Sequence, residues 1–229
     1  MNISKLFVVL CFYFMCSSVK AMDENLFTIT ANSNQDLVRQ MPRQVRCLKL
    51  NNNVNGIGLS RAVRDYPEIE DLDISGCFSI GFNDLGQIGQ FKNLRKLSID
   101  CRSDYDFGAS DVIERIVSGC PLIEDLDLWF RRYYSPDDFR HIGRLPKLKR
   151  LRLGHIDINR EALDAITRGC PCLTELAIYH TSQGNSLNPD DFKLIARLHG
   201  LNTLWLDDTK IGDEGLKEII ASKQGKPLV

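Results

Sequence analysis

The chain of 229 residues has almost no net charge, no membrane-length apolar run and none of the short motifs that mark catalysis. Lys and Arg number 29 against 30 Asp and Glu, a balance that excludes the basic stripe on which nucleic-acid binding rests. The apolar run from Leu6 to Cys16 has eleven residues, whereas a helical span needs about 20. There is no G-x-S-x-G elbow, no H-E-x-x-H helix and no glycine loop that would cradle a phosphate. Cys170-Pro171-Cys172 is C-x-C, not the redox C-x-x-C. Neither an enzyme nor a cofactor is expected from these absences. No low-complexity segment or linker divides the chain, so one elongated domain with ample core is expected.

What is present is a repeat. Ile69 to Cys77 reads IEDLDISGC, with apolar residues at the first, fourth and sixth places and cysteine at the ninth, the signature of a leucine-rich repeat. Units begin at Val45, Ile69, Leu94, Ile123, Leu148, Leu173 and Leu201, close to the period of about 20–29 residues that such repeats keep. In all seven the fourth and sixth places are apolar, from Leu48 and Leu50 to Leu204 and Leu206. Each unit supplies a short strand and then a helix. Ser135-Pro136-Asp137-Asp138-Phe139 and Asn188-Pro189-Asp190-Asp191-Phe192 are near-copies, each with a capping residue, a first-turn Pro and acids at the positive helix end, and both are predicted to open helices. Gly119-Cys120-Pro121 and Gly169-Cys170-Pro171 are predicted to stop helices through a left-handed Gly followed by Pro. One unit cannot bury its own Leu stripe, whereas stacked units bury a continuous core. The predicted fold is therefore α/β: a leucine-rich repeat solenoid, a right-handed horseshoe of about seven repeats with parallel strands on the concave face and helices on the convex face. Residues 22–44, with the amphipathic Leu37 to Met41, are predicted to form the N-terminal cap, and residues 45–229 the repeat domain.

Ser75-Gly76-Cys77 after a strand, the two Gly-Cys-Pro stops and Ile211-Gly212-Asp213-Glu214-Gly215-Leu216 in the last unit give the chain its family likeness. It resembles the cysteine-containing leucine-rich repeats of F-box ubiquitin-ligase adaptors and of antagonist of mitotic exit network proteins. The likeness covers about Val45 to Ile220. It implies a protein-binding module and, by analogy, a substrate-recognition adaptor of an SCF-type ubiquitin ligase that docks a Skp1-type partner. Cys77 and Cys101 stand near the cysteine place, while five other units put Asn53, Arg131, Ile156, Thr181 and Thr209 there. Residues 22–44 are too short for an F-box and lack its Leu-Pro-x-Glu opening.

Lys5, the apolar run and the small residues Val19 and Ala21 predict a signal peptide over residues 1–21, and so a secreted protein. A single early Lys before an unbroken apolar run argues against a transit peptide, and with it against a mitochondrial membrane-complex assembly factor. Cleavage after Ala21 leaves 27 basic and 30 acidic side chains and six cysteines: Cys47, Cys77, Cys101, Cys120, Cys170 and Cys172. Cys120 and Cys170 hold equivalent places two repeats apart, about 10 Å on strand spacing, too far for a disulfide. No N-x-S/T sequon follows residue 21. Buried thiols in an exported chain predict an effector that finishes its work in the reducing cytosol of another cell; the bland reading is an extracellular protein with inert core cysteines.

Strand alternation sends the third, fifth and seventh places to the concave face, where partners of repeat proteins bind. Asp71, Asp73, Asp125 and Asp127 form acidic steps around Lys96, and Arg150 and Arg152 a basic one; Trp129, Tyr179 and Trp205 have no core duty in the pattern. Exposed aromatics beside Arg are hot-spot chemistry. The predicted partner-binding residues are Trp129, Tyr179, Trp205, Arg150, Arg152, Asp125, Asp127 and Asp73, in a monomer that needs no membrane after signal cleavage. The charged residues alone also fit a merely solvated sheet. Arg131-Arg132-Tyr133-Tyr134 reads as a solvated loop. His155 and His180 share the eighth place of neighbouring units with Asp208 one unit on, but nothing fixes their directions and no metal is assigned.

Overall fold

The apolar fourth places align across the sheet. In the computed structural model, which describes residues 20–21, 27–37, 45–77, 79–101, 111–130, 136–156, 158–179 and 190–207 with Lys217 and Ile219, Leu48, Leu72, Leu97, Leu126, Leu151, Leu176 and Leu204 pair in one register. The strands are β1 (Lys20–Ala21), β2 (Phe27–Ser33), β3 (Cys47–Asn53), β4 (Asp71–Ile74), β5 (Lys96–Cys101), β6 (Asp125–Phe130), β7 (Arg150–Gly154), β8 (Glu175–Tyr179) and β9 (Thr203–Asp207). They form a single sheet in chain order, parallel from β2 to β9. Parallel neighbours need a crossover between them, and each repeat supplies one. The molecule is thus an α/β leucine-rich repeat solenoid. Leu50, Leu72, Ile99, Leu128, Leu153 and Ile178 are buried under the sheet, each contributing about 1.5–3 kcal/mol before entropy is counted.

The crossovers alternate in kind. Helices α1 (Gly56–Asp65), α3 (Val112–Gly119) and α4 (Arg160–Gly169) serve the first, third and fifth units. The intervening units use 3-10 helices at Gly86–Gln90, Pro136–Arg144 and Asp191–Arg197, the first preceded by the single turn α2 (Phe82–Leu85). The helices expected to open at Ser135-Pro136 and Asn188-Pro189 are therefore 3-10 where described; Ser135, Asn188 and Pro189 lie outside the described residues. Gly89 and Gly143 sit inside two of these segments, where a glycine costs an α-helix about 1 kcal/mol relative to Ala.

Gly119 and Gly169 end α3 and α4, and the N–H groups of Cys120 and Cys170 bond back to Ile116 and Ile166. The cap residues Cys120 and Cys170 are at φ −122° and −113°, so the expected left-handed glycine is not the device. The glycines are required by space. A Cβ on Gly119 would overlap the carbonyl of Gly89, and one on Gly169 that of Gly143. The units of α3 and α4 thus each pack backbone to backbone on the 3-10 unit before them.

Residues 22–44 contain a strand that the repeat pattern did not reveal. β2 runs parallel to β3, placing Ile29 beside Leu48 and Ala31 beside Leu50, all four buried. Asn51 donates to Asn32 at 2.9 Å and Asn34 to Asn55 at 2.7 Å, while the Asn55 side chain caps α1. Leu37 is buried; Val38 to Met41 lie outside the described residues. β1 adds an antiparallel pair to β2 through Lys20 with Thr28 and Ala21 with Phe27.

Candidate binding face

Alternation leaves the odd places of each strand on the face away from the core, as in the alternating half-buried and buried residues of β6 from Asp125 to Phe130. Most of the charge on that face is paired across strands. Asp73 takes Lys49 at 2.5 Å, Asp71 lies 3.6 Å from Lys96, and Asp125 accepts from Arg150 at 2.5 and 2.9 Å. Arg152 bonds Glu175 at 2.8 Å and lies 3.8 Å from Asp127. Of the residues expected to bind a partner, Arg150, Arg152, Asp125, Asp127 and Asp73 are thus members of a cross-strand network.

A second ladder runs beside it at the second place of each unit, and sequence reasoning missed it. Arg46, Glu70, Arg95, Glu124 and Lys149 alternate in sign over five units, each just before its strand, with Arg95 at 3.9 Å from Glu70 and 2.7 Å from Glu124, and Lys149 at 2.7 Å from Glu124. The signal was legible as a sign alternation at the repeat period. Counting second, third and fifth places together, seven bases (Arg46, Arg95, Lys149, Lys96, Arg150, Lys49, Arg152) meet seven acids (Glu70, Glu124, Asp71, Asp125, Glu175, Asp73, Asp127).

The aromatic residues form the other part of the face. Trp129 and Tyr179 come from strands two apart, yet their rings stack at 5.3 Å with an interplanar angle of 18°. Gly154 lies between them in register, and a Cβ there would overlap the indole of Trp129. The glycine is the gap across which the two rings meet, a role the repeat pattern did not signal. Trp129 Nε1 donates to Asp127 Oδ1 at 2.6 Å, and His155 contributes an edge-on ring at 5.9 Å. His155 has φ 55°, and its N–H donates to the Tyr179 carbonyl at 3.0 Å, tying the turn after β7 to β8. Trp205 pairs in register with Ala177 and is 52% exposed, so a large apolar surface faces solvent on β9.

Asp73 and Asp127 show how the environments differ. Burial pushes the Asp73 carboxyl up, but Lys49 and both the hydroxyl and the N–H of Ser75 outweigh it and hold the group below the usual carboxylate range. Burial also pushes Asp127 up; the Trp129 N–H and Arg152 oppose it without prevailing, and the group stays above that range.

Cys47, Cys77, Cys120 and Cys170 are buried free thiols, and Cys172 is exposed. Cys77, Cys120 and Cys170 donate to the carbonyls of Asn51, Ile88 and Ile142 at 3.5, 3.2 and 3.4 Å. Burial pushes all three up to about 12, so they are inert links between neighbouring repeats. The Cys101 side chain, His180, Asp208 and Arg131 to Tyr134 lie outside the described residues. Among the described residues no cluster of three His, Cys, Asp or Glu is placed to hold a metal, and no helix is long and apolar enough to cross a membrane.

No family model and no curated protein matches this chain. Solved structures do. The leucine-rich repeat-containing protein LegL7 from Legionella pneumophila is similar at 17% identity and TM-score 0.54, over 87% of this chain and 71% of that one. A chain of the Rad7 and Elc1 complex in yeast is similar at 14% identity and TM-score 0.56, over 89% of this chain and 61% of that one. At such identities the likeness is one of fold. The chain spans about three fifths of the length of the yeast one.

Proposed function

We propose that this protein is a secreted, non-catalytic leucine-rich repeat module that binds another protein through the concave face of its sheet, and that it acts as an effector in the cytosol of a second cell. One observation carries the binding role: the stack of Trp129 on Tyr179 across Gly154, with Trp205 exposed on the same face. An aromatic surface of this kind gains little for the fold and much for a partner, because indole and phenol rings are the preferred anchors of protein interfaces. Secretion rests on the signal-peptide pattern of residues 1–21, and cytosolic action on the buried unpaired thiols. Cleavage after Ala21 would remove β1 and leave β2 at the edge of the sheet.

The test is capture of partners by the tagged protein from cytosolic and extracellular extracts of candidate target tissue, beside a variant with Trp129, Tyr179 and Trp205 all replaced by Ala. A cytosolic protein held by wild type and lost by the variant supports the reading. Partners found only outside cells would remove the effector role; equal capture by the variant would remove the aromatic site. A second reading, a substrate-recognition adaptor of an SCF-type ubiquitin ligase, is favoured by the fold shared with a chain that is in complex with Elc1. It requires a Skp1-type protein in the catch.

A further inference from the structure

We propose that two copies of this chain join edge to edge through β9, pairing antiparallel about a twofold axis at Trp205, in place of the monomer expected from the sequence. The two ends of the solenoid close the core differently. At one end β2 lays Ile29 and Ala31 beside Leu48 and Leu50, and all four are buried. At the other, β9 is the outermost strand among the described residues, and none of them pairs with its outer edge. Its Leu204 and Leu206 face the core yet are partly buried, whereas Leu176 and Ile178, their neighbours in β8, are buried outright. With Trp205 52% exposed between them, β9 leaves apolar surface open on both faces. A strand edge of this kind is a template for another strand.

The strand that fits this edge is β9 itself. Thr203 donates its N–H inward to the Thr174 carbonyl, so alternation along the strand turns the N–H and C=O of Leu204 and Leu206 outward. Setting Trp205 opposite the second copy's Trp205 brings Leu204 against the second copy's Leu206, and Leu206 against its Leu204. Both become hydrogen-bonded pairs that exchange main-chain bonds, and both close Leu on Leu at the core face. Trp205 falls at the non-hydrogen-bonded position, where Cα atoms approach to about 4.5 Å and aromatic cross-strand pairs stabilise a sheet. Thr203 stands opposite Asp207, so no like charges meet along the strand. A slip of one residue would set core-facing Leu against open-face Trp205. The contact is isologous and stops at two copies, whereas β9 on another copy's β2 would be head-to-tail and would not close. β1 already pairs with the start of β2.

Analytical ultracentrifugation of protein expressed from the full chain, over a series of concentrations, should show a monomer–dimer equilibrium. Trp205→Lys and Trp205→Glu, with the fold unchanged by far-ultraviolet circular dichroism, should each raise the dissociation constant about tenfold or more, because each loses the aromatic pair and sets like charges face to face. Mixed in equal amounts, the two variants should associate again. Trp205→Cys should form a disulfide across the axis under mild oxidation, identified by mass spectrometry apart from any bond through the exposed Cys172. Trp129→Ala with Tyr179→Ala should stay dimeric, so that loss of this contact and loss of the partner-binding site are told apart. A monomer at every concentration, a dimer indifferent to charge at Trp205, the absence of a link between the two copies at Trp205→Cys, or open-ended polymers would overturn the proposal.

Discussion

From β3 to β5 the open face satisfies itself: Lys49 holds Asp73, Lys96 lies against Asp71, and Asn51 bonds Asn32. From β6 to β9 the ion pairs persist as far as Glu175, but the fifth place turns to Ala177 and Trp205, and the seventh to Trp129, Gly154 and Tyr179. The repeats beneath are alike, with Leu or Ile at the same places in both regions, buried through β8 and partly buried in β9. The same core thus supports one surface whose polar groups have partners and another whose rings offer surface to something else. Stability comes from the stacked units together, so the outward places are free to differ without altering the fold.

The largest expected effect separates the two regions by binding. Changing Trp129, Tyr179 and Trp205 together to Ala should weaken partner binding by about 2 kcal/mol or more, the scale of an interface hot spot. Changing Lys49 and Asp73 to Ala should leave binding within about 0.5 kcal/mol and stability within about 1 kcal/mol. Calorimetric titration of the captured partner against both variants checks this, and equal losses would erase the distinction between the regions.

A single glycine should break the aromatic region from within. In Gly154→Ala the new methyl overlaps the indole of Trp129, so the rings must part. Overpacking of this kind costs about 1–3 kcal/mol. The near-ultraviolet circular dichroism of the stack should change while the far-ultraviolet spectrum is kept. An unaltered aromatic signal would show that the stack does not depend on Gly154.

The difference between the regions was partly legible before the structure. Leu48, Leu72, Leu97 and their equivalents recur at the repeat period, and a parallel stack of identical units has no other place to put them. The open-face candidates followed from the alternation of a strand. The meeting of Trp129 with Tyr179 did not, because a sequence reading does not show that Gly154 has vacated the strand between them. β2 was missed because only 19 residues separate Ile29 from Leu48 in register, short of the repeat period. The 3-10 crossovers were missed because Ser135-Pro136-Asp137 carries the signs of a helix start, while Gly143 further on decides how closely the next unit can approach.

The smallest effect is the most discriminating, since it assigns opposite signs to one substitution at equivalent places. Asp73 sits below the usual carboxylate range in the folded chain, so its ionisation stabilises the fold at neutral pH, and that contribution is lost as the pH falls through the depressed value. Asp127 sits above the range, so its ionisation costs stability at neutral pH, and the cost is relieved as the pH falls through the raised value. Asp73→Asn should therefore be less stable than wild type at pH 7, with a deficit that closes in acid below the unfolded carboxylate pKa of about 3.9. Asp127→Asn should match or exceed wild type at pH 7, with an advantage that begins to shrink at a higher pH, as the pH falls through the raised folded value, and is gone only below the unfolded one. Both differences should stay within about 1 kcal/mol, which denaturant melts at closely spaced pH values resolve. Deficits of the same sign at pH 7 would mean that the Trp129 N–H and Arg152 satisfy Asp127 as fully as Lys49 and Ser75 satisfy Asp73.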